Sequence, residues 1–402
     1  MKKLAVLAGG ALASASALAA LYGDTPDARH AWAVHDLNRP NPVKITAPAG
    51  LPPSDAVILF DGTKKSLDEN WCDAKGQPTK WSFDAEAGAF CILPEQAAGG
   101  YKSKNRPGVI RTRKHFGDCQ LHIEFRHPKG ITGEAQMRGN SGIFLMNNYE
   151  LQVLESFGTN PKDMKNKTYA DGQCGSVYAE NPPLVNPCRA PGEWQTYDIV
   201  FHQPVWKGDK LLHPGSITVF LNGVLVQDHW EMEGMTTHCK RRPLAPHEKT
   251  GPLQLQDHAC PVAFRNVWYR PLASRWDNLT HSNLTADETE VIKLRRTTAK
   301  AVLAAALAET DGGKPDGWSV GRILEAYSYD PCSAEVKAAY ARCADGFRAR
   351  LAKMDAAAVV KAKDEIVYAK KAYDVLLRNK AIDAKDALCV VVQGLAAKNK
   401  WK

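Results

Sequence analysis

Residues 149–156 read YELQVLES and carry three polar side chains of the types that cleave or bind a sugar. Side chains alternate along a strand, so Glu150 and Gln152 share one face, and Glu155 joins them only through one bulge. Two carboxylates about 5 to 5.5 Å apart are what a retaining glycosidase uses as nucleophile and acid/base. The same spacing fits an edge strand with solvated acids. Two further stripes place polar groups at every second position: His122, Glu124 and Arg126, and Gln254, Gln256 and His258, with Asp257 beside them. Either stripe alone is what the solvent face of a sheet carries. Gathered on one concave sheet, they would make a trough for sugar hydroxyls, walled by Trp and Tyr rings that stack on pyranose faces.

The elements around these residues read as antiparallel β structure. Candidate strands lie at 56–60, 88–93, 120–127, 141–146, 149–156, 195–202, 216–222, 224–229, 253–258 and 264–271. Asn222-Gly223 between two apolar runs predicts a two-residue hairpin, because both central positions of a type I′ turn need positive φ. So many short strands without helices between them predict a sandwich or jelly roll.

Composition changes sharply further on. Residues 286–402 hold 26 Ala and two Pro, against 22 Pro in the preceding 285 residues, which puts a domain boundary near 273–285. The tail predicts helices at 286–309, 319–327, 333–353, 356–378 and 383–397, with Ser333 and Asp383 as N-caps, packed as a small all-α bundle. It contains no catalytic motif. Residues 20–53, rich in proline, predict an extended arm ahead of a β domain at 54–272.

The formal charge of +8, from 52 basic and 44 acidic residues, is too diffuse to point to nucleic acid. Met1-Lys2-Lys3 followed by the apolar run Leu4–Ala20 reads as a signal peptide over residues 1–19, so a secreted or periplasmic protein is expected. Cysteines can pair in such a compartment, and Cys174 with Cys188 would close a 13-residue loop worth about 3 kcal/mol. Cys239 with Cys260 is a second possible pair. Glu124, Glu150, Asp257 and His258 could converge on a metal, yet no His-Glu-x-x-His or paired Cys-x-x-Cys occurs and no catalytic metal is expected; a structural Ca²⁺ stays open. Asn166, Asn278 and Asn283 stand in Asn-x-Thr triplets.

VILFDGT (57–63), GNSGIFL (139–145), YELQVLESF (149–157), DGQCGSVY (171–178), NGVLVQDH (222–229) and GPLQLQDHACPVAFRNVWYRPL (251–272) together resemble the 3-keto-disaccharide hydrolase domain family over residues 54–272. The resemblance implies a concanavalin A-like fold, similar to lichenase-type β-glucanases, and an exported enzyme acting on a glycoside whose sugar is oxidised at C3. Against the glucanase pattern Glu-x-Asp-x-x-Glu, this chain has Gln152 in the middle. A 3-keto sugar offers another route: a base removes the C2 proton, an enolate forms, and the C1 substituent leaves by elimination, with water adding later. Glu150 or Glu155 is the expected base, His258 the acid and Arg126 the oxyanion partner. Gln152, Glu124, Asn140, Gln173, Gln254, Gln256 and Asp257 are the expected substrate contacts. No Rossmann fingerprint or phosphate loop is present, so a separate sugar 3-dehydrogenase is the implied pathway partner. The alternative is a non-catalytic glycan-binding module whose residues 286–402 dock to an envelope protein.

Overall fold

The computed structural model describes residues 23–98, 100–158, 168–273 and 288–401. The expected signal peptide, most of the 159–168 insertion and of the 273–285 linker, and Asn166, Asn278 and Asn283 lie outside them. Among the described residues, no helix is long and apolar enough to cross a membrane. The chain divides into two compact units, one of residues 44–274 and one combining residues up to 43 with those from 275 onward.

The first unit is a mainly β, jelly-roll sandwich. Its strands in chain order are β1 (Val57–Phe60), β2 (Trp71–Asp73), β3 (Ser82–Asp84), β4 (Ala89–Cys91), β5 (Ile110–Phe116), β6 (Cys119–Arg126), β7 (Ser141–Leu145) and β8 (Tyr149–Val153). They continue as β9 (Gln195–His202), β10 (Val205–Lys207), β11 (Lys210–His213), β12 (Ser216–Leu221), β13 (Val224–Glu231), β14 (Gly251–Leu255) and β15 (Ala263–Pro271). Short helices α1 (Lys64–Asn70) and α2 (Pro94–Ala97) interrupt the early strands.

One sheet has the order β13-β12-β9-β6-β15-β4-β3, with β1 also paired to β15. The other has the order β2-β5-β14-β7-β8. In β6 and β9 buried and half-buried residues alternate without a break, so Leu121, Ile123, Phe125, Tyr197, Ile199 and Phe201 enter the core. Ile143, Leu145, Leu151, Val153 and Leu255 meet them from the second sheet. Asn222 and Gly223 have φ of 54° and 79° and join β12 to β13 with Leu221 opposite Val224, the expected hairpin.

β8 departs from that alternation, because all five of its residues are buried. Tyr149, Leu151 and Val153 belong to the core, while the opposite face carries Glu150 and Gln152, 4% and 1% exposed. Its outer edge is covered: Gln152 N donates to Ser176 O at 3.0 Å, Gly175 N to Gln152 O at 3.2 Å and Tyr178 N to Glu150 O at 3.0 Å. A solvated edge strand is therefore excluded.

The second unit holds α3 (Glu288–Glu309), α4 (Gly317–Tyr329), α5 (Ala334–Ala352), α6 (Ala356–Lys361), α7 (Lys363–Arg378) and α8 (Ala387–Lys398) around its own core. Ser333 accepts from Val336 N as an N-cap, but α8 is capped by Asp386 rather than Asp383. The expected arm is split at Val43. Trp32 packs edge-on against Tyr329, with ring centroids 6.3 Å apart, and Asn38 donates to Tyr329 Oη at 3.2 Å, so residues 23–43 are part of the helical unit.

Candidate functional site

The five-stranded sheet brings its outward side chains into register. Arg111 on β5 lies opposite Gln254 on β14, Gln254 opposite Phe144 on β7, and Phe144 opposite Glu150 on β8. In the next row Gly142 faces Gln152, and Gln256 N donates to Gly142 O at 3.0 Å. These two rows floor a cavity of about 660 Å³ lined by Gln136, Asn140, Phe144, Glu150, Gln152, Tyr169, Tyr178, Thr236, Thr237, His238, Gln256 and His258.

Gly142 makes room for the acid. A Cβ there would stand 2.1 Å from Glu150 Oε1 and 2.8 Å from the Phe144 ring, so only glycine lets the carboxyl lie across this floor. Among the described residues nothing hydrogen-bonds to that carboxyl, and burial alone pushes its pKa up to about 8. It is the single carboxylate among the residues lining the cavity. His258 is shifted the other way: burial holds it down at about 4, so its imidazole is neutral at pH 7.

The floor amides are oriented by backbone carbonyls. Gln136, on a 3₁₀ turn at Ala135–Met137, donates to Gly172 O at 3.0 Å and to Thr168 Oγ1 at 2.7 Å. Its Oε1 accepts from Asn140 Nδ2 and Gln152 Nε2, each at 2.9 Å. The other oxygens, Asn140 Oδ1, Gln152 Oε1 and Gln256 Oε1, are buried without a partner. The rim carries a hydrogen-bonded chain in which Tyr169 Oη and Tyr178 Oη are 2.8 Å apart, Tyr178 Oη lies 3.0 Å from His238 Nδ1, and His238 Nε2 lies 3.1 Å from Cys239 Sγ. From the opposite sheet, Tyr197 Oη crosses the core to donate to Gln152 O at 2.7 Å.

Asn140, Glu150, Gln152, Gln256 and His258 are thus assembled in one cavity, while six other expected residues are elsewhere. The expected bulge does not form. β8 ends at Val153, and Glu155 pairs with the Arg138 guanidinium while its N–H donates to Arg138 O at 3.2 Å, so it braces the Gln136 turn instead of facing the cavity. Glu124 and Arg126 lie on the outer face of the eight-stranded sheet. There Glu124 accepts from Arg265 Nε at 2.7 Å and from Asn266 Nδ2 at 2.8 Å, and Arg126 stacks over Trp194 at 4.6 Å. Spacing showed that each stripe shares a face but not that β6 and β14 belong to different sheets.

Asp257 is a brace too, accepting from Arg106 Nε at 3.2 Å, Gly108 N at 2.9 Å and Ala259 N at 2.9 Å. Gln173 accepts from Ser156 Oγ at 2.8 Å, and Gln254 sits in the floor's register row without lining the cavity. The expected Cys174–Cys188 bridge is not formed, nor is Cys239–Cys260, since all ten cysteines are free thiols. Cys174 Sγ is instead 3.2 Å from Tyr197 Oη, and its hydrogen bond to Cys188, with burial, holds the Cys188 thiol well above its usual range. Gln136, Tyr169, Tyr178 and His238 were missed because they sit on loops, where no periodicity marks a face.

Comparison with known proteins agrees with this fold. Residues 55–270 match the model of the 3-keto-alpha-glucoside-1,2-lyase-like domain. A crystal structure from Parabacteroides distasonis, provisionally described as a glycosyl hydrolase, shares 37% identity and a TM-score of 0.50, covering 58% of this chain and 93% of that one. A second protein of that organism, described in the same way, has 19% identity and a TM-score of 0.36, covering 55% and 94%. The alginate lyase Aly36B has 10% identity and a TM-score of 0.28, covering 47% and 82%. No curated protein matches the chain. The sandwich and the match over more than half the length together make this chain a member of the 3-keto-alpha-glucoside-1,2-lyase-like domain family, a glycosyl hydrolase- or lyase-like carbohydrate-active protein.

Proposed function

We propose that the chain cleaves the glycosidic bond of a 3-keto-glycoside by elimination, using Glu150 as hydrogen-bond donor and His258 as base. The observation that carries this reading is Glu150 itself: a carboxyl group buried without a partner, with a pKa near 8, at the floor of a sugar-sized cavity. A retaining double displacement needs a second carboxylate across the sugar, and Glu155 is committed to Arg138. Elimination needs only one acid kept neutral, as a hydrogen-bond donor to an enolate oxygen.

The steps follow from the protonation states. Neutral His258 takes the C2 proton; the C–H electron pair becomes the C2–C3 double bond, and the carbonyl π pair moves to the C3 oxygen, where Glu150 donates. The enolate then restores its carbonyl, a C1–C2 double bond forms, and the C1–O bond breaks. The departing oxygen takes the proton carried by His258. In this reading the parts expected from residue type, Glu150 or Glu155 as base and His258 as acid, are exchanged, and the opposite burial shifts of the two groups support it. Oxidation at C3 belongs to a separate sugar 3-dehydrogenase, and an exported location is part of the same proposal.

The test is aglycone release from glucosides and from their 3-keto counterparts. Release from the oxidised form alone supports elimination, whereas binding with no release from either moves the chain to the glycan-binding alternative. Activity should rise with pH through about 4, as His258 becomes neutral, and fall through about 8, as Glu150 ionises.

A further inference from the structure

The orientation of the floor amides does not depend on the amides themselves. A backbone carbonyl can only accept, so the groups facing Gly172 O must be NH₂ groups: Gln136 Nε2 at 3.0 Å and Gln152 Nε2 at 3.2 Å. With its amide nitrogen fixed there, Gln136 must turn its oxygen toward Asn140 and Gln152. Asn140 then faces two acceptors, Gln136 Oε1 and Gln136 O, both at 2.9 Å, and must turn its NH₂ toward them. Both amide oxygens are therefore left pointing away from the network, buried and unpaired, beside the likewise unpaired Gln256 Oε1.

We propose that Gln136 is a positioning residue that fixes the hydrogen-bond polarity of the Gln136–Asn140–Gln152 stretch of the cavity floor, using up its amide hydrogens and leaving only oxygens, so that a ligand over this stretch must present free hydroxyl donors to it. The inference rests on the sugar-cleaving reading only in taking the ligand to be a sugar. A hydroxyl donates to the waiting oxygens and satisfies them. A fluorine or an ether oxygen in the same place can only accept, leaving them buried and unpaired. The acceptor part of the substrate, its ketone or its glycosidic oxygen, is left for the neutral Glu150 acid. Gly172 is the other fixed point: a Cβ there would stand 2.2 Å from the Tyr169 ring and 2.8 Å from Gln136 Nε2, so any side chain would push the hub out of place.

The experiment measures binding of methyl α-glucoside and its 2-, 4- and 6-deoxyfluoro analogues by calorimetry, with the full chain and with Gln136→Met. For the unsubstituted protein, at least one fluoro analogue should bind about tenfold or more weakly than the parent. In Gln136→Met the amides are no longer held by the hub, the parent should bind more weakly, and the ratio should fall toward one. Gln136→Glu at pH 5, where a protonated acid can accept from both amides and donate to Gly172 O, should restore the ratio. A variant that is merely less stable would weaken all ligands alike and leave the ratio unchanged. Equal affinity for parent and fluoro sugars, a ratio unmoved by Gln136→Met, or absence of any sugar binding overturns the inference. Failure of the enzymatic reading looks different: the ratio stands, and no aglycone is released from 3-keto substrates.

Discussion

Glu124 and Glu150 are the same side chain on outward faces of the two sheets of one sandwich, and their surroundings make them opposites. Burial raises the pKa of both, but Glu124 is overcompensated by His122, Asn266 and Arg265 and is held down at about 2. Glu150 has no compensation and rises to about 8. The imidazoles diverge too. Burial lowers both, yet Asp198 and Glu124 lift His122 to about 9, while His258 stays near 4. On the eight-stranded sheet Glu124 meets Arg265 and His122 meets Asp198, so these charges are answered within the fold. On the five-stranded sheet the Glu150 carboxyl and the Gln152 amide oxygen are left unanswered, which marks this face as the candidate site.

The largest expected difference between the two faces is in turnover. Glu150→Gln keeps the shape of the cavity but loses the acid, and should lower kcat on a 3-keto-glucoside by about 10² to 10⁴ fold. Glu124→Gln should leave kcat within about twofold. Equal losses in the two variants would erase the distinction. Gly142→Ala sharpens it from the steric side, because the added methyl occupies the place of Glu150 Oε1. It should remove most of the activity while leaving the sheet folded, as judged by circular dichroism.

Stability against pH gives a smaller contrast. Glu150 is protonated in the folded state up to about 8 but ionises near 4.5 when unfolded. Its contribution is therefore complete below pH 4.5 and lost as pH rises toward 8, with a slope of up to about 1.4 kcal/mol per pH unit. Chemical unfolding of Glu150→Gln should lack that slope. Glu124 has the opposite sign, its contribution being present above about 4.5 and lost as pH falls toward 2. Its side chain is 15% exposed, within reach of solvent screening, and Glu124→Gln should cost about 1 kcal/mol at pH 7.

The sequence made the fold legible where patterns are local. Ten strand segments, the Asn222-Gly223 turn and the helical tail follow from period and punctuation. Short pieces such as β2 and β3, with three residues each, carry no period and were not visible. The pairing of Glu150 with Gln152 on one face was legible, and so was the placing of Gln256 with His258. What period cannot show is the partner across the sheet. Gln254 meets Phe144 and Glu124 meets Arg265 through register between strands more than a hundred residues apart in the chain. Nor does residue type give protonation: that Glu150 is held up at about 8 and His258 down at about 4 follows only once burial is known.

The hydroxyl of Tyr197 rises from β9 through the interior and ends on the carbonyl of Gln152. That hydrogen bond ties the floor strand to the far layer, so a sugar bound on the floor should be felt there. A saccharide at a hundred times its dissociation constant should add about 2.7 kcal/mol to the free energy of unfolding. Slowed amide exchange should then extend to β9 as well as β8, and Tyr197→Phe should confine the slowing to the strand beneath the sugar. One phenolic oxygen would thus decide whether a bound glycoside steadies a patch or the whole β domain.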